Sequence, residues 1–360
     1  MILPYKIIAP EFLAVVLNLL PQLMKLKGVS RFIFFFFLCV CVSEYLFQMS
    51  KRKSSIEAFI SNPPLIVYSS LSQLRYLILS EGIIETSDKN LQRLRTYVWS
   101  ILSRTSMENA TTKYLNLLNL GPPVSPIYEK IKNDTSRTFR TNDKFRNVVS
   151  EEALIRCLSC FAWQTQQLHE KDATKRGITT YVQGMNILLA PLLYSCPSEP
   201  MAFQLFSKLC YSIIPTYVTH NLIGVRNGAK LLDMCLKIID PRLSRFLGDN
   251  LLTTEIYGIP SILTLSGCNK PLDQVCKLWD FMFAYGFHMN ILFIVGMLVT
   301  IRSKIMRSES PMNLMKDLPE FDADDIIKLG VGFLAKIPSK VYMLLVNHLT
   351  DPDLVISLDS

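Results

Sequence analysis

From Ser54 onward the apolar side chains recur at helical spacing, and the alternation that marks a half-buried strand is missing. Leu154, Cys157, Leu158 and Phe161 stand at i, i+3, i+4 and i+7. Leu232, Cys235, Leu236 and Ile239 form a second stripe, closed by Pro241, and Val275, Leu278, Trp279, Met282 and Phe283 a third. Ile291–Ile301 is apolar nearly all round, which at that length predicts a buried core helix, not a membrane span. Ser150 before Glu151 and Glu152 predicts a capped helix start, because the acidic first turn suits the helix dipole. Gly121-Pro122-Pro123, Pro197 to Pro200 and Ser308 to Pro311 punctuate the pattern, and no repeat or linker divides it. The expected fold is all-α: one large helical domain with short flanking helices. With 14 glycines in 360 residues a turn-rich β architecture is disfavoured, and 49% hydrophobic content excludes a mainly disordered chain.

The net charge of +8 loses its suggestion of nucleic acid once it is located. Residues 1–55 carry Lys6, Lys25, Lys27, Arg31, Lys51, Arg52 and Lys53 against Glu11 and Glu44, so most of the surplus lies there. The remainder has no long block of like charge, so nucleic acid is not expected as a partner. Residues 1–48 form an atypical apolar extension. Phe32–Val42 is uncharged but shorter than the roughly 20 residues a spanning helix needs. Met49, followed by Ser-Lys-Arg-Lys-Ser-Ser, is the expected start of the folded protein. The preceding residues then read as upstream translation or a weak anchor, and no membrane partnership is expected.

Nine scattered cysteines suit reduced thiols in a cytosolic or nuclear compartment. Cys157 and Cys160 make a lone CxxC with only His169 near it, short of the four ligands of a structural zinc site, so no metal is expected. The series Gly224-Val-Arg-Asn-Gly228-Ala-Lys230 has the wrong spacing for a phosphate loop. Asn269-Lys270-Pro271-Leu272-Asp273 places its aspartate one position late for guanine recognition. His169, His220, His288 and His348 are dispersed, and neither HExxH nor GxSxG occurs. A self-contained hydrolase or nucleotide-binding GTPase is disfavoured.

Three short patterns then occur in order: Arg95-Thr-Tyr-Val-Trp99, Ile131-Lys-Asn-Asp134-Thr-Ser-Arg137 and Tyr181-Val-Gln183-Gly184-Met-Asn186. Lys277-Leu-Trp279-Asp280 follows. The ordered set RxxxW, IxxDxxR and YxQ resembles the TBC domain of GTPase-activating proteins for Rab-like GTPases. The resemblance implies a TBC/Rab-GAP domain over residues 75–320, a lead-in over 49–74, and C-terminal helices and tail over 321–360. It implies a Ras/Rab-like small GTPase partner, an arginine finger at Arg137 and a glutamine finger at Gln183, both supplied in trans. No cofactor is expected, GTP and magnesium belonging to the partner, and the protein would activate an enzyme and not be one. Further stretches, among them Lys130–Phe139, Leu188–Pro200 and Lys277–Phe293, resemble the TBC subunit of a two-component GAP in the spindle position checkpoint. That likeness implies a scaffold subunit, inhibition of mitotic exit in cell division, and a cytoplasmic, cytoskeletal place at the spindle pole body. The alternative is a catalytically silent TBC-shaped adaptor.

Supporting roles are expected at Asp134, Tyr181, Gly184, Arg95 and Trp99. Asp134 is expected to hold Arg137, Tyr181 to pack, and Gly184 to let the backbone approach the partner closely. Arg95, Trp99, Trp279 and Asp280 are expected to be scaffold, since a buried indole needs one hydrogen-bond partner. The Gly-Ile-Pro element common before RxxxW is replaced by Gly82-Ile83-Ile84.

Overall fold

A computed structural model describes residues 67–83, 90–172 and 177–356. The expectations for residues 1–48, for a start at Met49 and for Ile84 lie outside these residues.

The described helices are α1 (Val67–Glu81), α2 (Asn90–Ser103), α3 (Ala110–Leu118), α4 (Ser125–Thr135), α5 (Asp143–Arg146) and α6 (Glu151–Lys171). There follow α7 (Met185–Ser195), α8 (Glu199–Lys208), α9 (Ile223–Ile239), α10 (Pro241–Asp249), α11 (Thr254–Tyr257) and α12 (Ile259–Leu263). The last are α13 (Leu272–Tyr285), α14 (Met289–Thr300), α15 (Arg302–Arg307), α16 (Pro311–Lys316), α17 (Ala323–Leu334) and α18 (Ser339–Asn347). Among the described residues the nearest thing to a sheet is one isolated bridge, Ile178 to Thr219.

Local chemistry sets the long helices. At α6 the Ser150 hydroxyl accepts from the Ala153 N–H at 3.2 Å, which satisfies one of the orphan donors of the first turn. The face beneath carries Leu154, Cys157, Leu158 and Phe161, each at most 1% exposed. Phe161 stacks on Tyr211 with ring centroids 5.1 Å apart. At α17 the Asp322 carboxylate accepts from Asp324 N–H at 2.9 Å and Asp325 N–H at 3.1 Å, so the acidic run is a helix cap. α14 is buried from Met289 to Leu298; its 12 residues span about 18 Å, the thickness of a protein core and not of a bilayer. Among the described residues no helix is long and apolar enough to cross a membrane.

Two helices organise the packing. α6 lies against α3, α4, α7 and α8, while α14 lies against α9 and α17. α13 connects the two groups by touching α1, α2, α7 and α17. The expected domain start at residue 75 falls inside α1. The chain from Gly224 to Lys230 sits inside α9, where Asn227 donates to Leu354 O at 2.9 Å and Lys230 to Ile356 O at 3.0 Å. Its polar residues pin the C-terminal segment. Asn269 is equally interior, donating to Met297 Sδ at 3.4 Å. Both lookalike nucleotide motifs are therefore structural.

Candidate functional site

α4 ends where the site begins. Pro126 in its first turn pre-sets the backbone, and Ile131, fully buried, locks the helix onto α6. One turn later comes Asp134, whose carboxylate is 9% exposed. Its Oδ1 accepts from the Arg137 guanidinium in an i, i+3 ion pair. Its Oδ2 accepts from the Tyr181 hydroxyl at 2.6 Å, across 47 residues of sequence. The Arg137 side chain is 60% exposed. A buried carboxylate thus anchors an exposed guanidinium, and one Nη suffices for the anchor. The rest of the planar fork stays open to a ligand outside the protein.

Tyr181 is buried, as its expected packing role requires, and it is also the second donor to that carboxylate. Burial raises its pKa, and the hydrogen bond to Asp134 adds to the rise, so the phenol keeps its proton and remains a donor. Gln183 lies two residues on and is exposed; among the described residues nothing is hydrogen-bonded to its amide. Gly184 carries a constraint of its own. Its φ is +104°, and a Cβ there would meet Leu263 Cδ2 at 2.8 Å. Within the chain itself, glycine is required by the turn into α7 and by α12 behind it. Beside Arg137 an open groove is lined by Ser136, Thr138, Arg140, Arg146, Glu151 and Glu152.

Sequence reasoning passed over Thr138 and Asn186. Thr138 Oγ1 donates to Asp134 O at 2.8 Å, and Asn186 Nδ2 donates to Thr138 Oγ1 at 2.8 Å. The available signal was an amide in the first turn of an otherwise apolar helix, since Asn186 is 4% exposed in α7.

Arg95 and Trp99 gather elsewhere, with Asp280. The Arg95 guanidinium donates through Nε and Nη2 to Asp280 at 3.0 and 2.9 Å, and the Trp99 indole donates to Oδ1 at 2.8 Å. The pair is 8% and 5% exposed. Trp279 donates to Leu265 O at 2.9 Å, while Trp99 stacks on Phe283 at 5.0 Å. All four are buried and bonded inside the protein, the arrangement expected of scaffold.

Cys157 and Cys160 lie buried on α6. Burial pushes both thiols up, Cys160 to about 12, which keeps them protonated and poor ligands. His169 is engaged with Ile178 O at 2.8 Å.

Comparison with known proteins follows the same outline. The profile of the Rab-GTPase-TBC domain matches residues 92–306. The mitotic check point protein BUB2 of Saccharomyces cerevisiae is 70% identical over 304 residues, 84% of this chain and 99% of the relative. Cell division control protein 16 of Schizosaccharomyces pombe is 39% identical over 289 residues, 80% of this chain and 91% of that one. Among solved structures the Ypt/Rab-GAP domain of Gyp1p superposes with a TM-score of 0.55 at 15% identity, covering 75% of this chain and 98% of that domain. The Chlamydomonas flagellar RabGAP TBC domain gives 0.54 at 18% identity, covering 82% and 88%. At such identities the superpositions speak for the fold.

Proposed function

This chain belongs to the Rab-GTPase-TBC domain family, and we propose that it is the activating subunit of a two-component GAP that restrains mitotic exit. Family membership carries GTPase activation and a small GTPase as the partner. The finer reading is that Arg137 and Gln183 are supplied in trans to a Ras/Rab-like GTPase of the mitotic-exit pathway. A scaffold subunit would stand beside this chain at the spindle pole body. The names of the budding- and fission-yeast relatives, a mitotic check point protein and a cell division control protein, support the cell-cycle assignment.

The observation that carries the site reading is the Asp134 cluster. GTP hydrolysis spreads charge over the transferring phosphoryl group and needs an aligned water. An exposed guanidinium on a buried anchor can meet that charge at two oxygens. An exposed amide on a tightly turned loop can orient the water. In this reading the chain brings no nucleotide, metal or proton-transfer group of its own. Asp134 is accounted for as an anchor, since Arg137 and Tyr181 both donate to it.

Single-turnover hydrolysis by the GTP-loaded mitotic-exit GTPase tests this, using the full chain with and without the scaffold subunit. Arg137→Ala and Gln183→Ala are expected to abolish the acceleration while GTPase binding persists. Acceleration that survives both substitutions would overturn the two-finger reading, and acceleration that never appears with the scaffold subunit present would move the protein to the class of silent adaptors.

A further inference from the structure

Gln183 sits in the loop from Tyr181 to Asn186, and both ends of that loop are tied to the turn that carries Arg137. At one end the Tyr181 hydroxyl reaches Asp134 Oδ2 at 2.6 Å. At the other, Asn186 uses its whole side chain. Its Nδ2 donates to Thr138 Oγ1 at 2.8 Å and to Asp134 O at 3.3 Å, and its Oδ1 accepts the Gly184 N–H at 3.1 Å. Thr138 completes the link by donating to Asp134 O at 2.8 Å, so its oxygen has a lone pair free for the amide. Asn186 and Thr138 are 4% and 6% exposed, so neither presents much surface to a docked partner.

We infer that Asn186 and Thr138 are positioning residues for GTPase activation, closing a clamp that sets the placement of the Gln183 amide relative to the Arg137 guanidinium. The inference rests on the two-finger reading above. Its physical basis is that Gly184, at φ +104°, is the most pliable point of the loop, and Asn186 holds that residue's N–H directly. Any buried amide must find hydrogen-bond partners, so what distinguishes this one is where its partners lie. This one bonds the far side of the site, 48 residues away in sequence, and the near side two residues back. Misplacement of a reacting group by about 1 Å costs on the order of 10²-fold in rate, so a clamp of this kind would act on turnover and not on docking.

The test is single-turnover hydrolysis by the GTP-loaded mitotic-exit GTPase, scaffold subunit present, over a range of concentrations of the full chain. This yields a plateau rate and a half-saturating concentration. Asn186→Leu and the nearly isosteric Thr138→Val are expected to lower the plateau about 10²-fold with half-saturation unchanged. Thr138→Ser, which restores the hydroxyl, recovers the rate lost in Thr138→Val. In an Arg137→Ala, Gln183→Ala background neither Asn186→Leu nor Thr138→Val lowers the residual rate further, because there is nothing left to position. An added loss there would mark a general structural role and overturn the inference. A parental plateau in Asn186→Leu and Thr138→Val, while Arg137→Ala and Gln183→Ala lose theirs, overturns the clamp alone. If the two finger substitutions themselves cost nothing, the two-finger reading fails and the clamp falls with it. Should Asn186→Leu not fold, Thr138→Val decides the matter, since it removes only one hydroxyl.

Discussion

Two arginine–aspartate pairs in this molecule are assembled from nearly the same parts. In each, a carboxylate takes an arginine on one side and an aromatic donor on the other: Arg95, Asp280 and Trp99 in one, Arg137, Asp134 and Tyr181 in the other. Both carboxylates are buried, at 5% and 9% exposure. The arginines part company, at 8% and 60%. The first pair joins α2 to α13 inside the protein. The second leaves a permanent charge at the surface on a rigid base. The chemistry of the pair does not separate scaffold from reagent; the position of the guanidinium relative to the protein boundary does.

The comparison breaks most visibly if the two arginines are exchanged in their consequences. Arg137→Ala is expected to cost the GAP-stimulated rate roughly 10³–10⁵-fold, as loss of an arginine finger does. Its unfolding free energy should move by less than about 1 kcal/mol, because the pair is largely solvated on the arginine side. Stopped-flow phosphate release and chemical denaturation on the same preparation read both numbers. Arg95→Ala should do the opposite. Leaving Asp280 buried without its cation costs about 3–5 kcal/mol, while the folded fraction keeps its specific activity. A parental unfolding midpoint in Arg95→Ala would contradict the scaffold assignment.

Titratable groups that the core keeps uncharged sharpen the same contrast. His348 is fully buried, with Nε2 facing the Tyr217 hydroxyl at 2.9 Å and Nδ1 facing Leu345 O at 2.6 Å. His288 is 6% exposed against Tyr285 and Tyr342. Burial lowers both imidazoles to about 4. The unfolded chain therefore binds more protons than the native one between about pH 4 and the ordinary histidine value near 6.5. Stability is complete above that window and falls as the pH drops through it, by up to about 3 kcal/mol for each histidine. Thermal melts from pH 7 to 4 check this, and His348→Gln should remove about half of the slope.

A further effect belongs to the aromatic donor on the open side. Tyr181→Phe leaves Asp134 Oδ2 without its partner and should cost about 1–3 kcal/mol of stability. The equivalent loss at Trp99 cannot be isolated so cleanly, since its ring also stacks on Phe283 and packs near Trp279. If Tyr181→Phe is neutral in denaturation, the carboxylate has found another donor and the buried half of the site is looser than drawn.

How far the sequence was legible follows the range of each interaction. The caps at Ser150 and Asp322 bond within three residues, and the faces of α6, α13 and α14 follow from helical spacing. Arg137 and Asp134 were legible as a pair for the same reason, being one turn apart. The ties that constrain Tyr181 and Gly184 were not legible, because Asp134 and Leu263 lie 47 and 79 positions away. Thr138 gave no warning, and Asn186 only that of an amide in an otherwise apolar helix: a hydroxyl and an amide are ordinary residues until a partner is seen.

What the sequence determined by itself was the helical class, the core faces, the capped helix starts and, through three ordered motifs, the family. All of these rest on side chains acting on backbone or neighbours within a turn or two, or on a pattern of residue types. What only the tertiary structure decided was which charges are sealed and which are presented, and how the loop of Gln183 is tied to the turn of Arg137. Those depend on burial and on hydrogen bonds between segments far apart in the chain. Their strength comes from excluding water, which no local run of residues can do.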